Sequence, residues 1–196
     1  MPEGLTIARS ELILGGQRSG KSRRAEHLAS AWLKQSSLHR AVLVATAHAG
    51  DDEMRERIAR HRQDRAERVP AMLTIEEPLA LAEAIAEHGN TQTLVLVDCL
   101  TLWLTNCLLP SPEFMKNRPL ALDLPAQAAM LLIAIKQAAG PVVLVSNEIG
   151  LGVIPMGRET RAFVDALGRL NQDVAAVCER VTFMAAGLPL TLKGTA

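Results

Sequence analysis

At 196 residues, with 48% hydrophobic and 21% charged residues, the chain is sized for one globular domain with a substantial core and is short for two. Lys+Arg and Asp+Glu balance at 21 each, which argues against nucleic acid or a membrane surface as partner. Cys99, Cys107 and Cys178 form no C-x-x-C pair, the opening MPEGLTIARSE lacks a signal-peptide core, and no apolar run is long enough for a bilayer; together these predict a cytoplasmic protein with no disulfide framework, zinc site or membrane span.

In chain order, strand-length apolar runs fall at 11–14, 41–45, 93–97, 141–146 and 181–185, and the last four contain β-branched residues. Helical stretches lie between them at 21–35, 51–68, 79–88, 126–139 and 158–180. Residues 72–75 and 188–192 are further short strand candidates. Buried strands alternating with helices predict a mostly parallel sheet with helices on both faces. Residues 1–10 read as an N-terminal extension, and 110–125, with four prolines, as an excursion within one domain spanning 1–196.

Directly behind the first apolar run stands Gly15-Gly16-Gln17-Arg18-Ser19-Gly20-Lys21-Ser22, which fits the phosphate-loop pattern G-x-x-x-x-G-K-S in its strand–loop–helix context. Glycines let backbone N–H groups turn inward around phosphate oxygens, and the helix that follows adds partial positive charge. Lys21 is placed to bridge β- and γ-phosphates, and Ser22 to hold Mg²⁺. The run Thr93–Val97 ends in Asp98, a candidate second metal carboxylate of the P-loop NTPase type, against the alternative of a helix-capping aspartate. Nucleotide binding follows from the pair; a choice between ATP and GTP does not.

The stretch DDEMRERIARHRQDRAER (51–68) holds six arginines and one histidine, His61. Helical spacing places His61 with Met54 and Ile58, and Glu–Arg pairs four residues apart suit a surface helix on which the histidine is merely structural. The sharper alternative is chemical: neighbouring guanidiniums disfavour protonation, leaving a neutral imidazole able to attack phosphorus.

Three segments in this order resemble one family. They are Gly15–Ser22; Asp51-Asp52-Glu53-Met54 leading to Arg57-Ile58 and His61-Arg62; and Val145-Ser146-Asn147-Glu148-Ile149-Gly150, continuing through Gly152, Pro155, Arg158, Arg161, Phe163, Gly168-Arg169 and Asn171-Gln172. The resemblance is to the bifunctional adenosylcobinamide kinase/adenosylcobinamide-phosphate guanylyltransferases of cobalamin biosynthesis. It implies a P-loop, RecA-like fold, a homotrimer, and Mg²⁺ with ATP and GTP as substrates. It also implies two reactions, phosphorylation of adenosylcobinamide and transfer of GMP to adenosylcobinamide phosphate through a guanylyl-histidine. His61 matches the nucleophile. Ala45-Thr46-Ala47, Arg62-Gln63-Asp64-Arg65 and Glu76, with Glu77 as its rival, match nucleotide-contacting stretches. Asn147 and Glu148 are candidates for positioning substrate or metal, or else a polar turn. The alternatives from other classes are a single-function small-molecule kinase and a non-catalytic nucleotide switch.

Overall fold

The computed structural model describes residues 5–48, 55–56, 59–60, 63, 66–109 and 123–195. Seven strands form one sheet: β1 (Ser10–Gly15), β2 (Arg40–Ala45), β3 (Met72–Glu76), β4 (Thr93–Asp98), β5 (Val142–Val145), β6 (Arg180–Ala185) and β7 (Leu188–Lys193), in the order β3-β2-β4-β5-β1-β6-β7. Every pairing from β3 across to β6 is parallel; β7 alone returns antiparallel on β6. The expected mostly parallel α/β architecture is therefore present, and both low-contrast runs, 72–75 and 188–192, are strands.

The helices are α1 (Lys21–Gln35), α2 (Leu81–His88), α3 (Leu100–Leu108), α4 (Leu124–Gln137) and α5 (Arg158–Val177). Those residues of 55–68 that are described are helical as well. Because the central strands are apolar on both sides, the sheet carries a core on each face. On one face Ile13, Leu43, Leu96, Val143 and Val145 pack against Ala25, Leu28 and Ala29 of α1. On the other, Leu12, Leu14, Val97 and Leu144 meet buried side chains of α2, α3, α4 and α5. Trp103 of α3 is 1% exposed there and donates its indole N–H to the Leu79 carbonyl at 2.8 Å, so its burial leaves no polar group unpaired.

Helix α3 was not legible in the sequence. Its buried residues Leu100, Trp103, Leu104 and Cys107 do follow helical spacing, but Leu102 and Leu108 between them blur the apolar stripe. The proline-rich excursion is shorter than expected at its far end. Asp123 accepts from the Ala126 N–H at 3.3 Å, and Leu124-Pro125 form the first turn of α4, where proline loses no hydrogen bond; residues 110–122 lie outside the described residues. Helix α5 ends at Val177, before the expected 180, because Arg180 opens β6.

The N-terminal extension is tied in rather than separate. Ser10 already belongs to β1, and Arg180 donates to the Thr6 carbonyl at 2.7 Å. The carboxylate of Glu11, 1% exposed, accepts from Thr182 Oγ1 at 2.8 Å and Arg180 at 3.2 Å, and pairs with Arg24 at 3.4 Å. A buried carboxylate needs that many partners to offset its lost hydration. The cluster pins α1 to β1 and β6 immediately below the glycine loop.

Candidate active site

The loop between β1 and α1 owes its shape to specific glycines. Gly15 has φ +151°, and a Cβ on it would lie 2.5 Å from the Met184 carbonyl oxygen and 2.6 Å from Ser19 Oγ. Gly20 has φ +102° and caps α1 without any side-chain hydrogen bond, leaving the first N–H groups of the helix turned to the loop. Gln17 and Arg18 are exposed at its tip, and Gly16 and Ser22 are half-buried. From the far side the turn joining β6 and β7 braces the loop, through a bond from the Gly187 N–H to the Ser19 carbonyl at 2.9 Å.

Lys21 is 8% exposed and donates from Nζ to the Gly16 carbonyl at 2.7 Å. Burial pulls its pKa below the ordinary 10.5, while the nearby Cys99 and Asp98 side chains act in the opposite direction. Lys21 opens the helix that follows β1, and Asp98 ends β4, a strand that is not the neighbour of β1. Ile13 of β1 and Asp98 of β4 both stand opposite Val145 of β5, so one strand separates them.

The ends of β2, β3 and β4 are stitched together beside Asp98. Thr46, 0% exposed, donates from Oγ1 to the Cys99 carbonyl at 2.7 Å and accepts from the Cys99 N–H at 2.8 Å. Asn106 of α3 donates from Nδ2 to the carbonyls of Thr46 and Pro78 at 2.8 and 3.1 Å. Ala45 stands opposite both Glu76 and Asp98. Of the two rival glutamates, Glu77 is committed to local structure: its carboxylate accepts from the N–H groups of Leu79 and Ala80 at 2.9 and 2.7 Å. Glu76 ends β3 and is exposed at the same sheet edge as Ala45.

The fold therefore brings Gly15–Ser22, Ala45–Ala47, Glu76 and Asp98 to the carboxyl edge of one parallel sheet, where such folds bind ligands. Gln63 is helical and exposed. His61, Arg62, Asp64 and Arg65 lie outside the described residues, as do Asp51–Met54, Arg57 and Ile58. Just beyond this stretch Val69 is buried, and Arg68 pairs with Glu26 of α1 at 2.8 Å. Asn106 escaped the sequence reading because it sits on the unforeseen α3.

Beyond β5, residues 148–155 border a groove of about 1060 Å³ with α5 and β7, lined among others by Glu148, Leu151, Ile154, Arg161 and Arg169. Leu151, Val153, Ile154 and Met156 around it are strongly exposed.

A family model described as cobinamide kinase / cobinamide phosphate guanyltransferase matches residues 11–192, from the buried carboxylate of β1 through β7. The chain belongs to that family. With membership come the family's two activities on one polypeptide, which decides against a single-function kinase and a nucleotide switch. Similar proteins include the bifunctional adenosylcobalamin biosynthesis protein CobP of Pseudomonas aeruginosa, 50% identical over 184 residues, covering 94% of this chain and 97% of the relative. Another is CobU of Escherichia coli, 35% identical over 187 residues, covering 93% and 98%. The fold is similar to that of the flagellar accessory protein FlaH of Methanocaldococcus jannaschii, with a TM-score of 0.53 at 12% identity, covering 99% of this chain and 82% of that one. At that identity the likeness concerns the fold alone.

Proposed function

We propose that one phosphate site serves both family reactions by presenting two different phosphorus atoms to two nucleophiles. The observation that carries this reading is Lys21, buried and bonded within the glycine loop, with Asp98 ending β4 at the same carboxyl edge of the sheet one strand away. In the kinase step the loop N–H groups and Lys21 hold the triphosphate of ATP or GTP. The aminopropanol hydroxyl of adenosylcobinamide forms the new O–P bond at the γ-phosphorus. The bond from that phosphorus to the β-phosphate oxygen breaks, the nucleoside diphosphate leaves with the electron pair, and the hydroxyl proton passes to solvent.

In the guanylyl step His61 attacks the α-phosphorus of GTP, and the bond to the β-phosphate oxygen breaks to release pyrophosphate. A phosphate oxygen of adenosylcobinamide phosphate then displaces the imidazole, giving adenosylcobinamide-GDP and free His61. Ala45–Ala47, Gln63 and Glu76, together with Arg62, Asp64 and Arg65, are assigned to the nucleotide.

The half-buried Ser22 hydroxyl and Asp98 carboxylate are hard oxygen donors of the kind Mg²⁺ takes, few enough for the rest of its shell to come from phosphates and water. They would hold Mg²⁺, which supplies charge neutralisation on the phosphate oxygens. Residues 1–196 are read as a single domain. No helix among the described residues is long and apolar enough to cross a membrane, and the three cysteines are free and buried, which supports a reducing cytoplasm. The homotrimer implied by the resemblance is part of the same reading.

The test is incubation with GTP labelled at the α-phosphorus, followed by peptide mapping. A phosphoramidate adduct on His61, absent from His61→Ala while kinase turnover persists, is the expected result. Full guanylyl transfer by His61→Ala would sink the assignment.

A further inference from the structure

Two residues beyond β5, the strand between the phosphate loop and Asp98, stands Asn147, whose carboxamide makes no hydrogen bond among the described residues although the backbone is held on both sides of it. The Ser146 N–H donates to the Ile13 carbonyl and the Glu148 N–H to the Gly15 carbonyl, each at 3.0 Å. This two-residue step carries the parallel ladder of β5 on β1 past Val145, so strand alternation continues to Glu148. Val143 and Val145 face the α1 side of the sheet together with Ile13, Leu94 and Leu96, whereas Val142 and Leu144 face the other. Asn147 extends the Val143–Val145 row, and Asp98 extends the Leu94–Leu96 row, onto that same α1 side. Glu148 projects the other way and lines the groove there.

Strand order completes the placement. With β5 between β1 and β4, Asn147 stands between the loop that cradles phosphate and the carboxylate that ends β4. Its N–H donates to Thr101 Oγ1 at 2.9 Å, and its carbonyl accepts from Asn171 Nδ2 at 3.0 Å. Thr101 lies in the first turn of α3, just after Asp98, and Asn171 is 4% exposed on α5. Two helices thus fix the backbone of Asn147 on both sides of its Cα while its side chain is left to the site.

We propose that the Asn147 carboxamide donates from Nδ2 to a γ-phosphate oxygen in the kinase reaction, with Thr101 and Asn171 as positioning residues. A neutral amide can approach the phosphate without opposing the charge of Asp98, as a carboxylate there would. The γ-phosphoryl group is transferred in the kinase step, where its bond to the β-phosphate oxygen breaks as the bond to the substrate hydroxyl forms. In guanylyl transfer the same group departs unchanged within pyrophosphate. Asn147 therefore discriminates between the two activities. The proposal rests on the shared phosphate site described above.

The experiment measures kinase turnover and the GTP-derived protein adduct in parallel on the full chain. Asn147→Ala lowers kinase kcat by about 10²-fold, the scale of losing one donor to a transition state, and Asn147→Asp lowers it further. Adduct formation falls by less than roughly tenfold in both, because the developing charge at the α-phosphorus is not the one Asn147 meets. Thr101→Ser retains kinase kcat and Thr101→Val loses it, with little change in the KM for ATP. Kinase kcat near the parent value in Asn147→Ala, or an equal loss in both assays, overturns the proposal. Absence of any adduct in the parent protein instead removes the His61 reading and leaves the kinase assay to decide Asn147.

Discussion

Lys21 Nζ donates to the carbonyl oxygen of Gly16, 2.7 Å away, so the loop that is to bind phosphate first binds its own lysine. The ammonium is poised among groups that only partly compensate its burial, the Gly16 carbonyl and the Asp98 carboxylate. On the proposed reading, a triphosphate would supply the missing anionic partner.

The alkaline stability profile follows from the groups whose ionisation burial shifts. Lys21 has its folded pKa below 10.5, so its cost to the fold is present at neutral pH and disappears as pH rises through that lowered value. Burial pushes the thiols of Cys99 and Cys107 up to about 11 and that of Cys178 up to about 12, from 9.0. Their contribution is full below pH 9.0 and is lost as pH climbs through the folded values. Three thiols oppose one lysine, and the chain has no tyrosine to titrate alongside them. Unfolding free energy from urea titrations therefore falls above pH 9, by up to roughly 1.4 kcal/mol per pH unit for each fully shifted thiol. Lys21→Met falls more steeply, having lost the buried ammonium whose cost is relieved as pH rises, and its kinase activity drops about 10²-fold or more. A profile that rises with pH would contradict this account.

Gly15→Ala addresses the shape of the loop. The added methyl meets the Met184 carbonyl and Ser19 Oγ at 2.5 and 2.6 Å, in a backbone conformation at φ +151° that side chains rarely adopt. Because the clash involves the backbone of β6, relief requires moving that strand or the loop. Destabilisation of about 2 kcal/mol or more is expected, with loss of both activities together, measured by thermal unfolding and the two assays. Unchanged nucleotide affinity would mean that the loop accommodates the methyl.

Arg68→Ala tests whether the ion pair of Arg68 with Glu26 matters to the proposed guanylyl step. The guanidinium lies 2.8 Å from the Glu26 carboxylate, with side chains 42% and 5% exposed respectively. Removing a partner from a fully buried pair costs about 3–5 kcal/mol; solvent at Arg68 screens this one, so about 1–2 kcal/mol is expected. Since Arg68 lies seven positions beyond His61 in sequence, and His61 is the proposed nucleophile, adduct formation is expected to fall by roughly 10- to 100-fold while kinase turnover stays within about threefold. Parallel loss of both activities would make the pair a stabilising contact only.

Much of the fold was legible because local chemistry dictates it. Runs such as Thr93–Val97 and Pro141–Ser146 are of strand length and contain β-branched residues, which favours buried strands, and Gly15 and Gly20 mark a backbone that other residues resist. Helix α3 was hidden because apolar side chains surround its buried stripe, and Asn106 was hidden with it. Glu76 and Glu77 look alike in the sequence, and only the structure shows that Glu77 accepts from the N–H groups of Leu79 and Ala80 in the turn before α2.

What the sequence determined by itself is the phosphate loop, the strand inventory and the family, each written in contiguous residues whose conformational preferences are local. What only the tertiary structure decided is who stands beside whom. Strand order comes from long-range packing and pairing, which no local periodicity encodes, and it inserts β5 between β1 and β4. That insertion turns Asn147, one polar residue after an apolar run, into a group standing between the phosphate loop and Asp98.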